Sequence, residues 1–506
     1  MTQKAYITTP IYYPSGAPHV GSAYTSTAAD VWARFKRSDG FDTKFLTGTD
    51  EHGLKLQRKA EEAGLTPQDY VDDMSTQFRA LTDIMNLSND DFIRTTEPRH
   101  HKAAQAIWQK LAQNGYIYKD TYSGWYCVSD EAYYDESELT EQDGKKIAPS
   151  GHPVEWMEEE SYFFKLSAFE DKLLALYEEQ PDFIQPNSRR NEVISFVKSG
   201  LADISISRTT FDWGIPVPND DKHVMYVWID ALTNYLTADG YPNELNYWPA
   251  VHLVGKDILR FHAIYWPAML MGADIDTPRK VFAHGWWTSE GKKMSKSFGN
   301  VVDPKEITEE FGIDAVRYFM LREVPFGNDG DFSRERMINR INTELANDLG
   351  NLFQRVLSMV QKNCDGKTPA LGTLSNEDKA LLELAQKALD ATQQEIEALA
   401  FHKALDAIWE VIDAGNKYMD AVRPWELKKT NPAQMAHVLR VLMESFQIIA
   451  VLVTPFMPES GEKLLSQLGI SGTCISDLSA LPNLKEGTEL PVPQGIFPRI
   501  DVEKAA

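Results

Sequence analysis

Hydrophobic and polar positions change rhythm twice along this chain. Up to about residue 115, short apolar runs alternate with stretches of helical spacing. Tyr6–Thr9 and Lys44–Thr47 predict strands, while Ser22–Arg37, Leu54–Ala63, Pro67–Met85 and His101–Gln113 predict helices. The last ends at Asn114-Gly115, a pair suited to a helix C-terminus. Such alternation predicts the opening half of a parallel, doubly wound sheet. From Tyr116 to about Lys222 the segments become aromatic and turn-broken, as in Tyr122-Ser123-Gly124-Trp125-Tyr126-Cys127 and Ser161-Tyr162-Phe163-Phe164, and predict an inserted α+β domain.

The α/β rhythm resumes at residue 223, with strands expected at His223–Val227, Val251–Val254 and Lys280–Ala283 and helices at Asp230–Leu236 and Ile258–Met271. One α/β fold is therefore split by an insertion. Beyond Pro304 the pattern is almost wholly helical, with amphipathic stretches at Arg334–Lys362, Asn376–Ala400, Ala404–Ala421 and Gln434–Leu452, and predicts a helix bundle. The Pro/Gly-containing tail Leu490–Arg499 is expected to run back over the surface. The expected division is 1–115 and 223–290 for the split α/β unit, 116–222 for the insertion, 291–333 for a linking region, and 334–506 for the bundle and tail.

Composition narrows the function. With 43% hydrophobic and 25% charged residues among 506, this is an ordinary globular composition. The net charge of −23 argues against sequence-blind adhesion to nucleic acid or an anionic membrane, so an RNA partner must be met by local patches. No apolar signal core follows Met1-Thr2-Gln3-Lys4, and the most apolar run, Ile448–Met457, is too short for a bilayer and contains Pro455. A cytoplasmic protein without membrane attachment is expected. Cys127, Cys364 and Cys474 lie far apart and offer neither a disulfide framework nor a Cys-x-x-Cys metal pair.

Two short runs carry the candidate chemistry. His19-Val20-Gly21-Ser22 follows a strand and a Pro/Gly-rich turn and opens a helix, where unpaired N–H groups and the positive dipole end suit phosphate. Lys293-Met294-Ser295-Lys296-Ser297 lies between Gly291 and Gly299 and supplies two lysines that can neutralise a polyphosphate. Asp50-Glu51-His52 invites a metal-site or hydrolase reading, but neighbours on an extended segment point to opposite sides and no second ligand cluster accompanies them.

In this order, the two runs resemble the HIGH and KMSKS motifs of class I aminoacyl-tRNA synthetases. Thr9-Pro10-Ile11-Tyr12-Tyr13-Pro14, Thr49-Asp50-Glu51-His52-Gly53, Tyr226-Val227-Trp228-Ile229-Asp230-Ala231 and Gly255-Lys256-Asp257-Ile258 narrow the likeness to the methionyl-tRNA synthetase family, along the whole chain. The resemblance implies a Rossmann-like catalytic domain split by the inserted connective-peptide domain. It also makes 291–333 the KMSKS loop and stem-contact region, and 334–506 an anticodon-binding bundle.

It further implies that Ile11, Tyr13, Trp228, Leu232, Tyr235, Ile258, His262 and Trp266 line a methionine pocket, with Asp50 holding the α-ammonium and His262 and Tyr235 facing sulfur. On pattern alone, Trp228, Ile258 and Trp266 read as ordinary core residues at strand and helix spacing, and it is the order of the motifs that favours the pocket. His19, Gly21, Ser22, Lys293 and Lys296 are the implied catalytic set. His284, Gly285, Trp286, Met294, Ser295 and Ser297 join His19, Gly21 and the two lysines around ATP, which Mg²⁺ accompanies. Asn347, Asn351 and Arg355, spaced by four, and Pro424-Trp425 are implied to read the anticodon of initiator and elongator tRNA(Met).

There are two departures from the family. Ser22 stands where His or Asn often closes the first motif, so a large role for it is not expected. The insertion has only Cys127, too few thiols for the zinc knuckle of many relatives, which implies the zinc-free branch and no metal site. With no appended RNA-binding domain, a monomer is expected, without DNA as a partner. Two rival classes are a coenzyme-forming adenylyltransferase, usually much shorter, and a catalytically dead RNA-binding copy, which would tend to lose His19, Asp50 and the two lysines. Synthetases for leucine, isoleucine and valine carry an editing insertion for which this chain has no room.

Overall fold

The computed structural model describes residues 2–130, 132–142, 144–289, 291–293, 301–472, 474–478 and 481–501. Six strands, all parallel, form the central sheet in the order Asp91–Arg94, Asp42–Thr49, Lys4–Thr8, Val251–Gly255, Lys280–His284, Ile184–Gln185. Helices cover the sheet, and the strands bury almost every residue after their first, which is why they read as apolar runs without alternation. The winding reverses between Lys4–Thr8 and Val251–Gly255. Loops leaving the carboxyl ends of those two strands part there and open a crevice.

Both expected α/β halves meet in this sheet, with three differences. Strand Asp91–Arg94 escaped the reading because only Phe92 and Ile93 in it are apolar. The strand expected at His223–Val227 runs from Asp220 to Met225 and lies in a small antiparallel sheet between Ser207–Arg208 and Pro216–Val217. The chain rejoins the parallel sheet earlier, through Ile184–Gln185 against Lys280–His284, so the boundaries expected for the insertion at 116–222 are corrected there. Two residues are too few for periodicity to reveal. The insertion itself is built on the long antiparallel pair Ile117–Cys127 and Glu155–Phe164.

Two helices expected to be continuous are interrupted. Over 258–271 the chain forms a 3₁₀ turn to Ile258, a π turn over Phe261–Tyr265 and an α-helix over Trp266–Gly272. Pro267 is the cause: it has no N–H to offer the Ala263 carbonyl and its ring crowds that oxygen. The Tyr177 phenol donates to the Ala263 carbonyl instead, at 2.6 Å. Over 334–363, α-helices Arg334–Arg340 and Asn351–Asn363 flank a π segment, Ile341–Gly350. At its end a Cβ on residue 350 would stand 3.0 Å from the Leu345 carbonyl oxygen, closer than most side chains tolerate, and the residue is glycine.

In the bundle, Asn376–Glu397, Phe401–Val422 and Pro432–Val453 pack on one another, and the latter two also pack on Asn351–Asn363. Pro432–Val453 is long and apolar enough to cross a membrane, but 94% of its most apolar window is buried, as befits the central helix of a bundle. The tail returns over the bundle: Asn342 Nδ2 donates to the Ile500 carbonyl at 3.0 Å, and the Ile500 N–H donates to Asn342 Oδ1 at 2.8 Å.

Bundle and catalytic unit share a core, and a fully buried ion pair crosses it. Arg317 Nη2 on helix Ile313–Arg322 lies 2.6 Å from Asp30 Oδ2 on the first helix, Val20–Ser38. Arg317 also donates to the carbonyls of Met85, Asn86, Pro455 and Phe456, so its fork ties together four chain segments. Removing one partner leaves an uncompensated buried charge. Arg317→Ala is therefore expected to destabilise the fold by about 3–5 kcal/mol, read as a lower urea midpoint, whereas Lys305→Ala at an exposed site stays within about 0.5 kcal/mol.

Candidate functional site

The crevice opens at the carboxyl ends of the central strands, and the first helix points its N-terminus into it. His19, not Ser22, caps that helix: its Nδ1 accepts from the Gly21 N–H at 3.0 Å. This corrects the expected start at Ser22, which lies buried inside the first turn, its carbonyl accepting from the Tyr12 phenol at 3.0 Å. With Nδ1 as acceptor, a neutral His19 carries its proton on Nε2, the donor that a phosphate oxygen needs. Gly21 is required by the cap itself, because a Cβ there would come within 2.8 Å of the His19 ring.

The other half of the chain closes on this turn. The Val20 N–H donates to the Val302 carbonyl at 3.2 Å, and the Thr25 hydroxyl lies 2.7 Å from His284 Nε2. His284 is buried, which lowers its basicity, and its Nδ1 lies 2.8 Å from the Gly285 carbonyl. A Cβ on Gly285 would stand 2.2 Å from the Asn328 carbonyl oxygen, so glycine lets two backbones meet. Trp286 is exposed, with Lys256 Nζ 4.1 Å from its ring centroid, while Asp329 accepts from Lys256 at 2.7 Å and from the Trp286 N–H at 2.8 Å. Lys293 contributes backbone to a short strand beside Trp287–Ser289; Met294, Ser295, Lys296 and Ser297 lie outside the described residues.

Across the crevice the residues expected around methionine come together. Ile11, Tyr13, Trp228, Leu232, Tyr235, Ile258 and Trp266 belong to one hydrophobic cluster. Inside it the Tyr235 hydroxyl lies 2.6 Å from His262 Nε2, and His262 Nδ1 lies 3.0 Å from the Ile258 carbonyl. The carbonyl can only accept, so Nδ1 donates, Nε2 accepts from the phenol, and the imidazole is neutral. Burial enforces this, pushing His262 down to about 4. The π turn that Pro267 imposes sets the direction of His262. Asp50 is buried at the strand end, its N–H donating to the Tyr12 carbonyl at 2.9 Å.

Glu51 and His52 turn away from each other. Glu51 Oε1 accepts from Arg94 at 2.7 Å and from Thr49 at 2.6 Å, and His52 Nδ1 lies 2.6 Å from Asp230 Oδ2. Their divergence supports setting aside a metal reading of Asp50-Glu51-His52. Sequence reasoning missed the partners of this loop: Arg94, Asp230, and Trp213, whose indole donates to the Glu51 carbonyl at 2.6 Å. Asp230 was visible only as one letter of a motif.

On the bundle, Asn347 ends up in the π segment and Asn351 and Arg355 on the helix that follows. Both asparagines are exposed. Pro424 starts a short helix after Arg423, which takes a left-handed conformation with φ of 51°, and the reversal leaves Trp425 41% exposed. The Arg355 guanidinium sits 5.4 Å from the Trp425 ring centroid and 3.4 Å from Asp420.

A split parallel sheet with a nucleotide crevice at its switch point, followed by a helix bundle, defines a class I aminoacyl-tRNA synthetase. The family model for class I tRNA synthetases (M) matches residues 5–357, and that for the anticodon-binding domain of methionyl tRNA ligase matches 368–506. The chain belongs to the methionyl-tRNA synthetase family, class I enzymes that activate methionine with ATP and transfer it to tRNA. It is 55% identical to a methionine–tRNA ligase from Brucella suis over 98% of both chains, and 55% identical to one from Mesorhizobium japonicum with the same coverage. Among solved structures, Mycobacterium tuberculosis methionyl-tRNA synthetase in complex with methionyl-adenylate is similar at a TM-score of 0.96 and 50% identity, covering 99% of this chain and 100% of that one. The free-state structure from the same organism gives a TM-score of 0.90 at 47% identity, covering 99% of each chain.

Keeping His262 neutral has a measurable consequence. Between pH 6.5 and about 4 the unfolded chain protonates this imidazole while the folded chain does not, so stability falls as pH falls. The loss from this residue approaches about 3 kcal/mol once the pH is below the folded value. Urea titrations of His262→Gln are expected to fall less steeply across this window than those of the unaltered protein; parallel slopes would show that another group titrates.

Proposed function

We propose how the residues divide the two steps of methionine–tRNA ligation. Asp50 takes the α-ammonium by a charge-assisted hydrogen bond, and the cage of Ile11, Tyr13, Trp228, Leu232, Ile258 and Trp266 takes the thioether. Tyr235 and His262 offer sulfur a polarised, uncharged surface, which favours a neutral side chain over a charged one of the same length. What carries this reading is the buried Tyr235–His262 hydrogen bond inside an apolar cluster, beside a carboxylate at a strand end.

A methionine carboxylate oxygen attacks the α-phosphorus of ATP, the bond to the β-phosphate oxygen breaks, and methionyl-adenylate and pyrophosphate form. The protein supplies no nucleophile. His19 Nε2–H and the helix N-terminus meet the phosphates as charge shifts onto pyrophosphate, and Lys293 and Lys296 neutralise it. Gly21 keeps the approach open, Ser22 plays a minor part, and His284, Gly285, Trp286 and the Met294, Ser295 and Ser297 segment border the nucleotide. In the second step the terminal ribose hydroxyl of tRNA attacks the activated carbonyl and AMP leaves.

Mg²⁺ would accompany ATP and add to the neutralisation of its phosphates. Among the described residues no group of three or more His, Cys, Asp and Glu side chains is arranged to hold a metal, so no residue is assigned to it. We place the chain in the zinc-free branch because Cys127 is the only thiol of the insertion, and aromatic contacts such as Trp125 with Trp156, at 5.1 Å between centroids, pack that region. We assign the protein to the cytoplasm as a monomer, serving initiator and elongator tRNA(Met) and not DNA or a membrane. Residues 291–333 would be its stem-contact region.

The tRNA reading rests on the exposed Trp425 ring with the Arg355 guanidinium 5.4 Å from its centroid, a pairing that suits an unpaired base, with Asn347, Asn351 and Pro424 alongside. Methionine-dependent exchange of labelled pyrophosphate into ATP tests the first step alone. Exchange is expected with methionine and not with the other nineteen amino acids, and His19→Ala should lower its kcat about 100- to 1000-fold. Trp425→Ala should leave exchange within about twofold while lowering kcat/KM for tRNA charging at least about 10-fold, the value of one stacked base. Equal loss in both assays would remove Trp425 from tRNA recognition.

A further inference from the structure

The ammonium-binding carboxylate and the walls of the side-chain cage are carried by different elements. Asp50 sits at the end of strand Asp42–Thr49, and Trp228, Leu232 and Tyr235 sit on helix Val227–Thr237. Methionine spans the two, so a small slip between strand end and helix would separate the groups that hold its two ends.

Asp230, on the same helix, bridges them from behind. It is fully buried, with Oδ2 2.6 Å from His52 Nδ1 and Oδ1 2.7 Å from His100 Nε2. His52 is two residues beyond Asp50, and its carbonyl accepts from the Tyr13 phenol at 3.1 Å, so the tether reaches a cage wall as well. His100 belongs to helix Pro98–Gln113, and its Nδ1 lies 3.1 Å from Thr237 Oγ1 at the far end of the helix that carries Asp230. Burial by itself would raise the Asp230 carboxyl, but His52 and His100 hold it below the ordinary carboxylate range. Glu51 is anchored separately, by Arg94 and Thr96, so both residues that follow Asp50 are held in place.

We propose that Asp230 is a positioning residue for methionine: held between His52 and His100, it fixes the distance between the ammonium site at Asp50 and the side-chain cage on its own helix. The proposal rests on the pocket assignment above. A slip between the two subsites weakens methionine more than ATP, and it relaxes the length selection that a rigid two-point grip imposes on linear amino acids. A contribution to folding alone would reduce the amount of active enzyme and leave both properties unchanged.

The test is pyrophosphate exchange with full-length Asp230→Asn, normalised to active sites and run across methionine, norleucine and ATP concentrations. Expected are a KM for methionine raised about 10- to 100-fold, a KM for ATP within about twofold, and a smaller kcat/KM ratio of methionine to norleucine. An unchanged KM for methionine with an unchanged ratio, at any active fraction, overturns the proposal. Should Asp230→Asn not fold, His100→Gln removes one of the two bonds from a helix outside the cage and must shift the same two quantities in the same direction. Asp50→Asn in parallel separates the failures. If it raises the KM for methionine while the Asp230 and His100 variants do not, only the tether is wrong; if it too leaves that KM unchanged, the pocket assignment falls with it.

Discussion

Asp30 and Arg317 face each other 2.6 Å apart with no solvent access, and the geometry of the whole enzyme passes through them. Taking two charges out of water costs several kcal/mol for each, and only saturation of their remaining valences offsets that. Asp30 is saturated by Arg34, by the Ser88 N–H and hydroxyl, and by Arg317; Arg317 is saturated by four carbonyls besides. Those carbonyls belong to the turn after helix Pro67–Ile84 and to the bend between helices Pro432–Val453 and Pro458–Gln467. The pair can therefore form only when the first helix, the linking helix and the bundle stand in one arrangement.

That arrangement matters because the two ends of a tRNA must be met at once. The first helix presents His19 at its N-terminus and Asp30 three turns later. The helix N-terminus on which phosphate chemistry is proposed and the joint to the bundle are thus parts of one rigid rod. Within the crevice a similar economy holds. A proline that cannot donate to Ala263 produces the π turn, the π turn aims His262, and the Ile258 carbonyl fixes its tautomer so that Nε2 accepts from Tyr235; one missing N–H thus sets the polarity of the cage.

Sequence alone disclosed the order of the motifs and the layered architecture, because both are written in local signals. A strand, a Pro/Gly turn and His19-Val20-Gly21 are neighbours in the chain, and Asp50-Glu51-His52 point in alternate directions for reasons of backbone geometry. Illegible were features that depend on partners distant in sequence. Ile184–Gln185 is a strand only because Lys280–His284 offers it an edge. Asp230 is a hub only because His52 and His100, 178 and 130 residues away, converge on it. The helix expected from Arg334 to Lys362 carries the right apolar stripe, and a stripe does not distinguish α from π turns. The first helix starts at Val20, ahead of the expected Ser22, because its cap is His19, and histidine is not a common capping residue type.

A chain with a net charge of −23 must hold a polyanion without a general electrostatic attraction. Counterion release from many phosphates is therefore a poor source of affinity here, and the burden moves to contacts that do not need net positive charge. On the tRNA reading proposed above, Trp425 supplies stacking, which is indifferent to the field around it, and Asn347 and Asn351 supply neutral hydrogen bonds. The one cation of the group, Arg355, is partly neutralised by Asp420 and lies over the Trp425 ring. On that reading Arg355 serves less as a charge for phosphate than as a cation held over the Trp425 ring. Such a site gains little from an RNA that presents only its backbone, and it rewards unpaired bases in the right order. The negative charge of the chain as a whole then sharpens discrimination, because a wrong RNA meets that repulsion and lacks the stacking that offsets it.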